Sequence, residues 1–180
     1  MVDATPGDAT REAPLIRAAR PEDAALLLEL FRELARYEHL EHELRASEDQ
    51  LNRALFRERP AAEALIAELD SEAVGYALFF PTFSSFLAVE GAWLEDLFVR
   101  PIHRGAGVGR ALLSAVAARV SEQGGERLEW AALDWNELAL GFYRRLGART
   151  MGEWVTHRLH GDALARLAAE SPDHARRRRR

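Results

Sequence analysis

The sequence predicts a single α/β domain with a mixed central sheet flanked by helices. The chain has 180 residues, which is enough to enclose one hydrophobic core. Its composition, 48% hydrophobic and 29% charged, is typical of soluble globular proteins. Segments with strand periodicity alternate with segments of helical periodicity. We expect the domain to span residues 14–170, with disordered segments at 1–13 and 171–180.

The first predicted elements are a strand and two helices. Leu15 to Ala18 is a short apolar stretch typical of a strand. A helix is predicted from about Pro21 to Tyr37, because proline is tolerated in a first turn and apolar residues then recur at three- and four-residue spacing. Ser47 and Gln50 have the spacing of a capping box, which predicts a second helix to about Glu58.

A hairpin and a further strand follow. Ala64–Leu69 and Val74–Phe80 are short apolar segments, and the polar residues between them suit a turn. Gly91–Val99 is a strand candidate that ends before Pro101. These segments predict neighbouring antiparallel strands in one sheet.

The second half of the chain alternates helices with strands. Its predicted elements, in chain order, are a helix at 108–120, a strand at 127–133, a helix at 136–146, an extended segment at 149–159 and a short helix at 162–169. Gly147 is expected to end the helix at 136–146. A strand-helix-strand crossover therefore follows the hairpin region, so the sheet should contain both parallel and antiparallel strands.

Composition and charge limit the classes of function. Cysteine is absent, which excludes disulfides, thiolate metal sites and a cysteine nucleophile. Every one of the 24 basic residues is arginine, and removing the five charges of Arg176 to Arg180 from the net charge of −5 leaves −10. An acidic body attracts cations and repels nucleic acid. We expect a small cationic partner, and neither nucleic acid nor a membrane.

Two further features of the sequence bear on location. Residues 1–13 carry charges and lack the apolar region of a secretory signal. The chain also has no apolar run near the ~20 residues that a spanning helix needs. The sequence therefore predicts a cytoplasmic protein.

A glycine-rich segment, Arg104-Gly105-Ala106-Gly107-Val108-Gly109, joins a predicted strand to a helix. Glycines allow successive backbone N–H groups to face one anion, and the helix start adds partial positive charge. The segment lacks the G-K-[ST] ending of a nucleotide-hydrolysing P-loop and the G-x-G-x-x-G spacing of a dinucleotide fold. A phosphate cradle of another kind is the remaining interpretation, beside an ordinary turn.

The same segment matches the Arg/Gln-x-x-Gly-x-Gly/Ala signature of the GNAT acetyltransferases. Downstream, Asn136-Glu137-x-Ala139-x-x-Phe142-Tyr143-x-x-x-Gly147-Ala148 resembles the second signature of that superfamily. From about Ile16 to Ala169 the chain is similar to the spermidine/spermine (diamine) acetyltransferases. The segments that carry this similarity are Glu33 to Glu38, Leu94 to Val99, and Trp135 to Glu137.

The resemblance implies a GNAT-type, mostly antiparallel sheet, a homodimer, and acetyl-CoA as cosubstrate without a metal. It also implies that the acetyl group passes directly to an amine within a ternary complex. The residues assigned to the cofactor, the first three through their backbone N–H groups, are Leu97, Phe98, Val99, Arg104, Gly105, Ala106, Gly107, Val108, Gly109, Arg110, Asn136 and Ala139.

The resemblance assigns catalytic roles to Glu95 and Tyr143. An alkyl amine, with a reference pKa of about 10.4, is mostly protonated at neutral pH and must lose a proton before it attacks. Glu95 would accept that proton directly or through water, and Tyr143 would protonate the departing thiolate. In the alternative interpretations, Glu95 only binds the ammonium and Tyr143 is a structural tyrosine.

Carboxylates and aromatic residues are expected to hold the amine. The predicted substrate-binding residues are Tyr37, Glu38, Glu95, Asp96, Asp134, Trp135 and Glu153. Trp135 and Trp154 could line the groove by cation–π contact or belong to the core. The segment Tyr37 to Glu43 holds histidines and carboxylates but lacks H-E-x-x-H, so no metal site is predicted.

Four functions stay open. They are a polyamine or diamine acetyltransferase, an acetyltransferase for a smaller amine or amino acid such as thialysine, a protein-directed acetyltransferase, and a sensor module that binds acetyl-CoA without catalysis. The segment between Gly147 and Glu153 is shorter than in animal polyamine enzymes, so the amine is less well defined than the chemistry.

Overall fold

A computed structural model of the protein describes residues 13–172. The two predicted disordered segments, apart from their innermost residues, lie outside this range. Within the described range the chain forms two compact units, one ending at Ala131 and the other beginning at Ala132. The assignment of residues 14–170 to one domain stays a prediction.

The first unit is built on a sheet of five strands. They are β1 (Leu15–Ala18), β2 (Glu63–Leu69), β3 (Glu72–Ser84), β4 (Val89–Val99) and β5 (Arg127–Trp130), and they lie in this order across the sheet. The first three pairings are antiparallel, and β4 pairs with β5 in parallel. The predicted α/β fold with a mixed, mostly antiparallel sheet is confirmed.

Helices cover both faces of this sheet. On one face α1 (Ala24–Glu38) and α2 (Glu48–Leu55) pack on a buried cluster that includes Tyr76 and Phe98. Side chains alternate along a strand, so Leu65 and Ala77, which are also buried, lie on the other face. Helix α3 (Val108–Glu122) contacts all five strands and covers that second face.

Local sequence signals account for the turns and helix ends of this unit. The Ser47 backbone N–H donates to Gln50 Oε1 at 2.9 Å, and the Gln50 N–H donates back to Ser47 Oγ at 3.4 Å, so the predicted capping box is confirmed. Asp70 and Ser71, with φ of 49° and 65°, form the two-residue turn between β2 and β3. Helix α2 ends at Leu55, earlier than predicted.

Arg100, directly after β4, ties the sheet to α1. Its guanidinium donates to both oxygens of Glu33, at 2.8 to 3.2 Å, and to Glu29 Oε1 at 2.6 Å. The same group donates to the Ala73 carbonyl at 2.8 Å and to Glu72 Oε1 at 3.3 Å. Glu29 and Glu33 belong to α1, and Glu72 and Ala73 are the first residues of β3. Arg100 therefore holds the C-terminal end of β4 against both elements.

The second unit contains α4 (Glu137–Arg145) and α5 (Gly161–Ala169). Gly147, at φ +86°, ends α4: its N–H donates to the Arg144 carbonyl at 3.0 Å, and the Ala148 N–H donates to the Tyr143 carbonyl at 3.1 Å. This pair of bonds is a Schellman motif, as Gly147 predicted.

The predicted strand at 149–159 is wrong. No strand occurs in this segment, and residues 151–160 are all exposed. Its apolar residues suggested a strand, but an extended segment needs a neighbour to accept its backbone hydrogen bonds. Within residues 13–172 it has no strand partner. The strand predicted at 127–133 is likewise shorter, ending at Trp130.

Across the described part of the chain, no helix combines the length and the apolar composition required to cross a membrane.

Candidate active site

A β-bulge in β4 exposes one carboxylate and places a second beside it. Leu78 of β3 pairs with Asp96, and Phe79 pairs with Leu94, so Glu95 is an extra residue without a partner on β3. Such a bulge re-aims the side chains around it. Glu95 is exposed and Asp96 is half-buried. Two consecutive acidic residues are therefore both available at one point of the sheet.

The other edge of β4 opens at the same point. Strand β5 pairs with Gly91–Leu94 and with no later residue of β4. Gly91 permits the close approach of the two strands, since a Cβ there would lie 2.6 Å from the Arg127 carbonyl oxygen. From Glu95 to Val99, β4 has a strand neighbour only on the β3 side within residues 13–172. Apart from the Val99 carbonyl, which accepts from Arg104 Nε, this edge can hydrogen-bond an extended ligand.

The glycine-rich loop after β4 has the geometry of an anion cradle. Gly105 and Gly107 have φ of +79° and +83°, and a Cβ on either would meet no atom within 4 Å. Gly107 is the N-cap of α3, and no side chain caps that helix start. The first N–H groups of a helix lack internal acceptors and carry partial positive charge. The loop therefore offers open space and oriented N–H groups to a phosphate.

Arg104 holds the beginning of this loop. Its Nε donates to the Val99 carbonyl at 3.0 Å, and its guanidinium carbon lies 4.3 Å from the centroid of the Tyr37 ring. The ring of Phe98 is 6.0 Å from the same carbon. Tyr37, which the sequence assigned to the substrate, thus contacts the first residue of the loop.

The carboxylates of the bulge have distinct partners. The Tyr76 hydroxyl donates to Asp96 Oδ2 at 3.1 Å, and Trp93 Nε1 donates to Glu95 Oε2 at 3.0 Å. Burial raises the pKa of Asp96 to about 6; the Tyr76 hydrogen bond opposes this shift, and the charges of Glu95 and Glu38 add to it. Burial also raises the pKa of Glu38. Asp96 therefore loses its proton at a higher pH than an exposed aspartate does.

Comparison with known proteins identifies the chain. A family model described as the acetyltransferase (GNAT) family matches residues 25–148, which is more than half of the sequence. The chain belongs to this family. Members of the GNAT family use acetyl-CoA, and the chain is an N-acetyltransferase.

Two acetyltransferases and one solved structure are similar to this chain over most of its length. Thialysine N-epsilon-acetyltransferase of Bos taurus is 35% identical over 167 residues, covering 87% of this chain and 98% of that protein. L-ornithine N5-acetyltransferase of Arabidopsis thaliana is 32% identical over 194 residues, covering 83% and 85%. The solved structure of an integron cassette protein from the V. cholerae mobile metagenome is similar with a TM-score of 0.72 and 27% identity, covering 89% of this chain and 99% of that one.

The second GNAT signature forms the start and end of α4. Asn136 caps the helix, its Oδ1 accepting from the Ala139 N–H at 3.2 Å. Tyr143 lies in the last turn, half-buried, with its ring 5.3 Å from that of Phe142. Asn136 and Ala139 thus have a structural function in the helix, and their contact with the cofactor, like the acid function of Tyr143, stays a prediction.

Some of the predicted residues lie together in the first unit, and others belong to the second unit. Glu38, Glu95 and Asp96 interact electrostatically within the first unit. Asp134, Trp135 and Glu153 are exposed in the second unit, so their function as substrate ligands stays a prediction. The remaining predicted cofactor residues differ in exposure. Leu97, Ala106 and Gly109 are half-buried, and Arg110 is exposed. Phe98 and Val108 have buried side chains, so they offer only backbone groups to a ligand.

Sequence reasoning missed Tyr76 and Trp93. Trp93 and Glu95 are two residues apart on a strand, a spacing that would have indicated neighbouring side chains. Tyr76 and Asp96 are 20 residues apart, and only the register of β3 against β4 reveals their contact. Trp154 is 73% exposed, so it does not belong to the core. Within residues 13–172 no group of three or more histidines and carboxylates could hold a metal ion.

Proposed function

We propose that the protein transfers the acetyl group of acetyl-CoA to a primary amine of a small cationic substrate, by direct attack in a ternary complex. The observation that carries this proposal is the arrangement along β4. Strand β4 has no β5 partner after Leu94, carries two carboxylates at the bulge directly after that residue, and leads into the glycine-rich loop. An anion site, a free strand edge and an amine site thus follow one another.

Each part of this arrangement suits one part of the two substrates. The open loop at Gly105 and Gly107 and the start of α3 suit the phosphates of acetyl-CoA. The free edge from Glu95 to Val99 offers backbone groups to the amide-containing arm, and an N–H there can stabilise the carbonyl oxygen as it gains negative charge. Bound acetyl-CoA supplies an activated acyl carbon, and most of the acceleration comes from holding the amine against it.

The amine is placed next to the carboxylates. Glu38, Glu95 and Asp96 concentrate negative charge where an ammonium must be held and then deprotonated. Tyr143 is the proposed acid that protonates the leaving thiolate, as the resemblance implies. The homodimer and the cytoplasmic location stay predictions of the sequence.

Among amines, we favour the side-chain amine of an amino acid, as in thialysine or ornithine. The relatives that cover more than four fifths of the chain at 32% to 35% identity carry these two substrates in their names. A diamine or polyamine is the second candidate, because several adjacent carboxylates can pair with several ammonium groups. The two candidates differ in one respect: an amino acid brings a carboxylate that needs a cation, whereas a polyamine does not.

The proposal is tested by steady-state release of coenzyme A from acetyl-CoA. The amines are thialysine, ornithine, lysine, putrescine, spermidine, spermine and a peptide. We expect the highest kcat/KM with thialysine or ornithine, and Tyr143→Phe should lower kcat by about 10²-fold or more, the range for a lost general acid. Tight acetyl-CoA binding without turnover of any amine would favour a sensor module, and turnover of the peptide alone would favour a protein-directed enzyme.

A further inference from the structure

An arginine of β5 lies on the same face of the sheet as Glu95. In the parallel pairing of β4 with β5, Gly91 lies beside Arg127 and Trp93 lies beside Glu129. A Cβ on Gly91 would lie 2.9 Å from the Arg127 Cβ, so these two positions project to one face. Alternate residues of a strand share a face, and the hydrogen bond from Trp93 Nε1 to Glu95 Oε2, at 3.0 Å, shows that this holds up to Glu95. Arg127, Trp93 and Glu95 therefore share one face.

An ion pair directs the charge of Arg127 along the sheet toward Glu95. Arg127 Nη2 lies 2.6 Å from Glu129 Oε2, and Glu129 is two residues closer to the C-terminal end of β5. The two side chains thus meet between the levels of Gly91 and Trp93 on the neighbouring strand. At about 3.3 Å per residue, this is roughly 7 to 13 Å along β4 from Glu95.

The guanidinium of Arg127 keeps donors for a ligand. It has N–H groups on three nitrogens, and the ion pair with Glu129 engages Nη2. Within residues 13–172 this guanidinium makes no further hydrogen bond or ion pair. Its side chain is 35% exposed, so a ligand can reach the remaining N–H groups. An arginine can hold a second carboxylate through two parallel hydrogen bonds on its other edge.

We propose that Arg127 binds the carboxylate of an amino-acid substrate whose side-chain ammonium is held by Glu95 and Asp96, and that it thereby selects amino acids over diamines. This inference rests on the acetyl transfer proposed above, and it names the cation that an amino-acid substrate requires. Arg127 is not among the residues that the sequence resemblance assigned to the substrate.

The separation of the charged groups suits a short amino acid. Five bonds of about 1.5 Å join the side-chain nitrogen of ornithine to its carboxylate carbon, and six do so in lysine. With a hydrogen bond of about 2.8 Å at each end, the extended substrates join protein groups roughly 12 to 14 Å apart. Between Arg127 and Glu95 the sheet presents the half-buried rings of Trp93 and, beside it on β3, Phe80. This apolar surface suits the methylene chain of the substrate.

Arg127 acts differently on the two candidate substrate classes. Ornithine without its carboxylate is putrescine, and lysine without its carboxylate is cadaverine, so the members of each pair differ by one charged group. A guanidinium attracts the carboxylate through charge-assisted hydrogen bonds. A diamine offers it no anion, and the distal ammonium of the diamine is repelled. The same residue thus favours one class and disfavours the other.

The experiment measures kcat and KM for ornithine, putrescine, lysine and cadaverine with saturating acetyl-CoA. Arg127→Met keeps a long side chain and removes the charge. The ratio of kcat/KM for ornithine to that for putrescine should fall by about 10- to 100-fold, the range for a lost charged hydrogen bond, and the lysine-to-cadaverine ratio should fall likewise. The carboxylate takes no part in the chemical step, so KM should rise while kcat stays within about threefold. Turnover of putrescine should persist, which shows that the variant is folded.

Arg119 provides the matched control. Its Nη1 lies 2.7 Å from Glu63 Oε2, with side chains 37% and 34% exposed, which resembles the 35% and 39% of the Arg127–Glu129 pair. Arg119 belongs to α3, which covers the other face of the sheet. Arg119→Met should therefore leave both substrate ratios unchanged, and thermal unfolding of the two variants compares the loss of one exposed ion pair in each.

The outcomes distinguish this inference from the proposed function. A wild type that turns over none of the amines overturns the acetyl transfer, and the assignment of Arg127 falls with it. A wild type that acetylates diamines but neither amino acid leaves the acetyl transfer intact and overturns the function of Arg127. Unchanged ratios in Arg127→Met, or an equal loss with all four amines, also overturn it.

Discussion

The guanidinium carbon of Arg104 lies 4.3 Å from the centre of the Tyr37 ring, so the last turn of α1 contacts the first residue of the glycine-rich loop. A cation over an aromatic face is stabilised by about 0.5 to 2 kcal/mol, depending on how far it is desolvated. Glu38, whose charge acts on Asp96, follows Tyr37 in the same helix. The anion cradle and the carboxylate region thus share one support.

Tyr37→Leu should weaken binding of coenzyme A by about three- to thirtyfold, the equivalent of that stacking energy. Tyr37→Phe keeps an aromatic face and should bind coenzyme A nearly as well as the wild type. Calorimetric titration with coenzyme A measures both, and the KM for the amine should change little in either variant. A raised amine KM with unchanged coenzyme A affinity would instead support Tyr37 as a substrate ligand.

Substitutions of Gly107, at the start of α3, test two properties separately: the backbone strain at this position and the ability of the loop to bind phosphate. Gly107→Ala forces an L-residue to φ +83° and should lower the free energy of unfolding by about 1 to 2 kcal/mol. Gly107→Asn should cost less, because asparagine tolerates this conformation, but its side chain enters the open space of the loop. Both variants should lose at least about tenfold in coenzyme A affinity, or about 1.4 kcal/mol.

Gly124 provides the matched control for that pair. It has φ +80°, and a Cβ there would also meet no atom within 4 Å, but it follows the other end of α3. Gly124→Asn should therefore leave coenzyme A binding unchanged in the same titration. If Gly107→Asn binds coenzyme A as tightly as Gly124→Asn does, the loop is not the phosphate site.

The raised pKa of Asp96 makes the fold less stable as pH rises. The folded protein holds this proton up to about pH 6, whereas the unfolded chain releases it near the ordinary aspartate value of 3.8. Between these values the folded state binds more protons, so the free energy of unfolding falls with increasing pH and stays lowered above the window. Asp96→Asn should therefore be more stable than the wild type at pH 8, by on the order of 3 kcal/mol at most.

The measurement is urea unfolding of both proteins at pH 4 and pH 8. The difference in free energy of unfolding should be much smaller at pH 4, where Asp96 is protonated in the fold and slightly less than half protonated when unfolded. A variant that is equally stable or less stable at pH 8 would show that the Asp96 carboxylate is not strained by its surroundings. Stability and activity are expected to change in opposite directions at this residue.

The Arg100 contacts should differ in their importance for stability. Glu33 is mostly buried, with 24% of its side chain exposed, and it accepts a hydrogen bond from Arg100 Nε. Glu29 is 59% exposed. Glu33→Gln should lower the free energy of unfolding by about 1 to 3 kcal/mol, as for a buried charged hydrogen bond. Glu29→Gln, the matched control on the same helix, should change it by less than about 1 kcal/mol. Equal losses in denaturant unfolding would contradict this ranking.

The elements that the sequence predicted well are those with local signals. Ser47 and Gln50 form their cap within four residues, and Gly147 ends α4 through bonds to residues just before it. The bulge at Glu95 has no such signal, because it arises from the pairing of β4 with β3. The contact of Tyr76 with Asp96 depends on the same register. Family resemblance supplied the candidate residues, but it could not say which carboxylate is buried.

The strand predicted at 149–159 is the opposite case, in which the local sequence pattern predicted an element that the structure does not contain. Apolar residues such as Trp154 and Val155 favour a strand locally, yet both are about three quarters exposed, at 73% and 75%. A strand requires a neighbour with free backbone groups, and the residues of the segment do not determine whether such a neighbour is present.

In a regular strand, consecutive side chains point to opposite sides of the sheet, so a Glu-Asp pair would send one charge outward and the other into the apolar interior. The single extra residue in β4 lessens that conflict, because it leaves Glu95 exposed and places Asp96 where the Tyr76 hydroxyl donates to it. A change that deleted one residue there, leaving every amino acid of the pair intact, would restore the alternation and bury a carboxylate against hydrocarbon. The exposed negative charge of this region thus depends on the extra residue in β4 as well as on the acidic side chains. Substitutions at positions 95 and 96 change that charge, but the bulge must be kept for the side chains to stay in place.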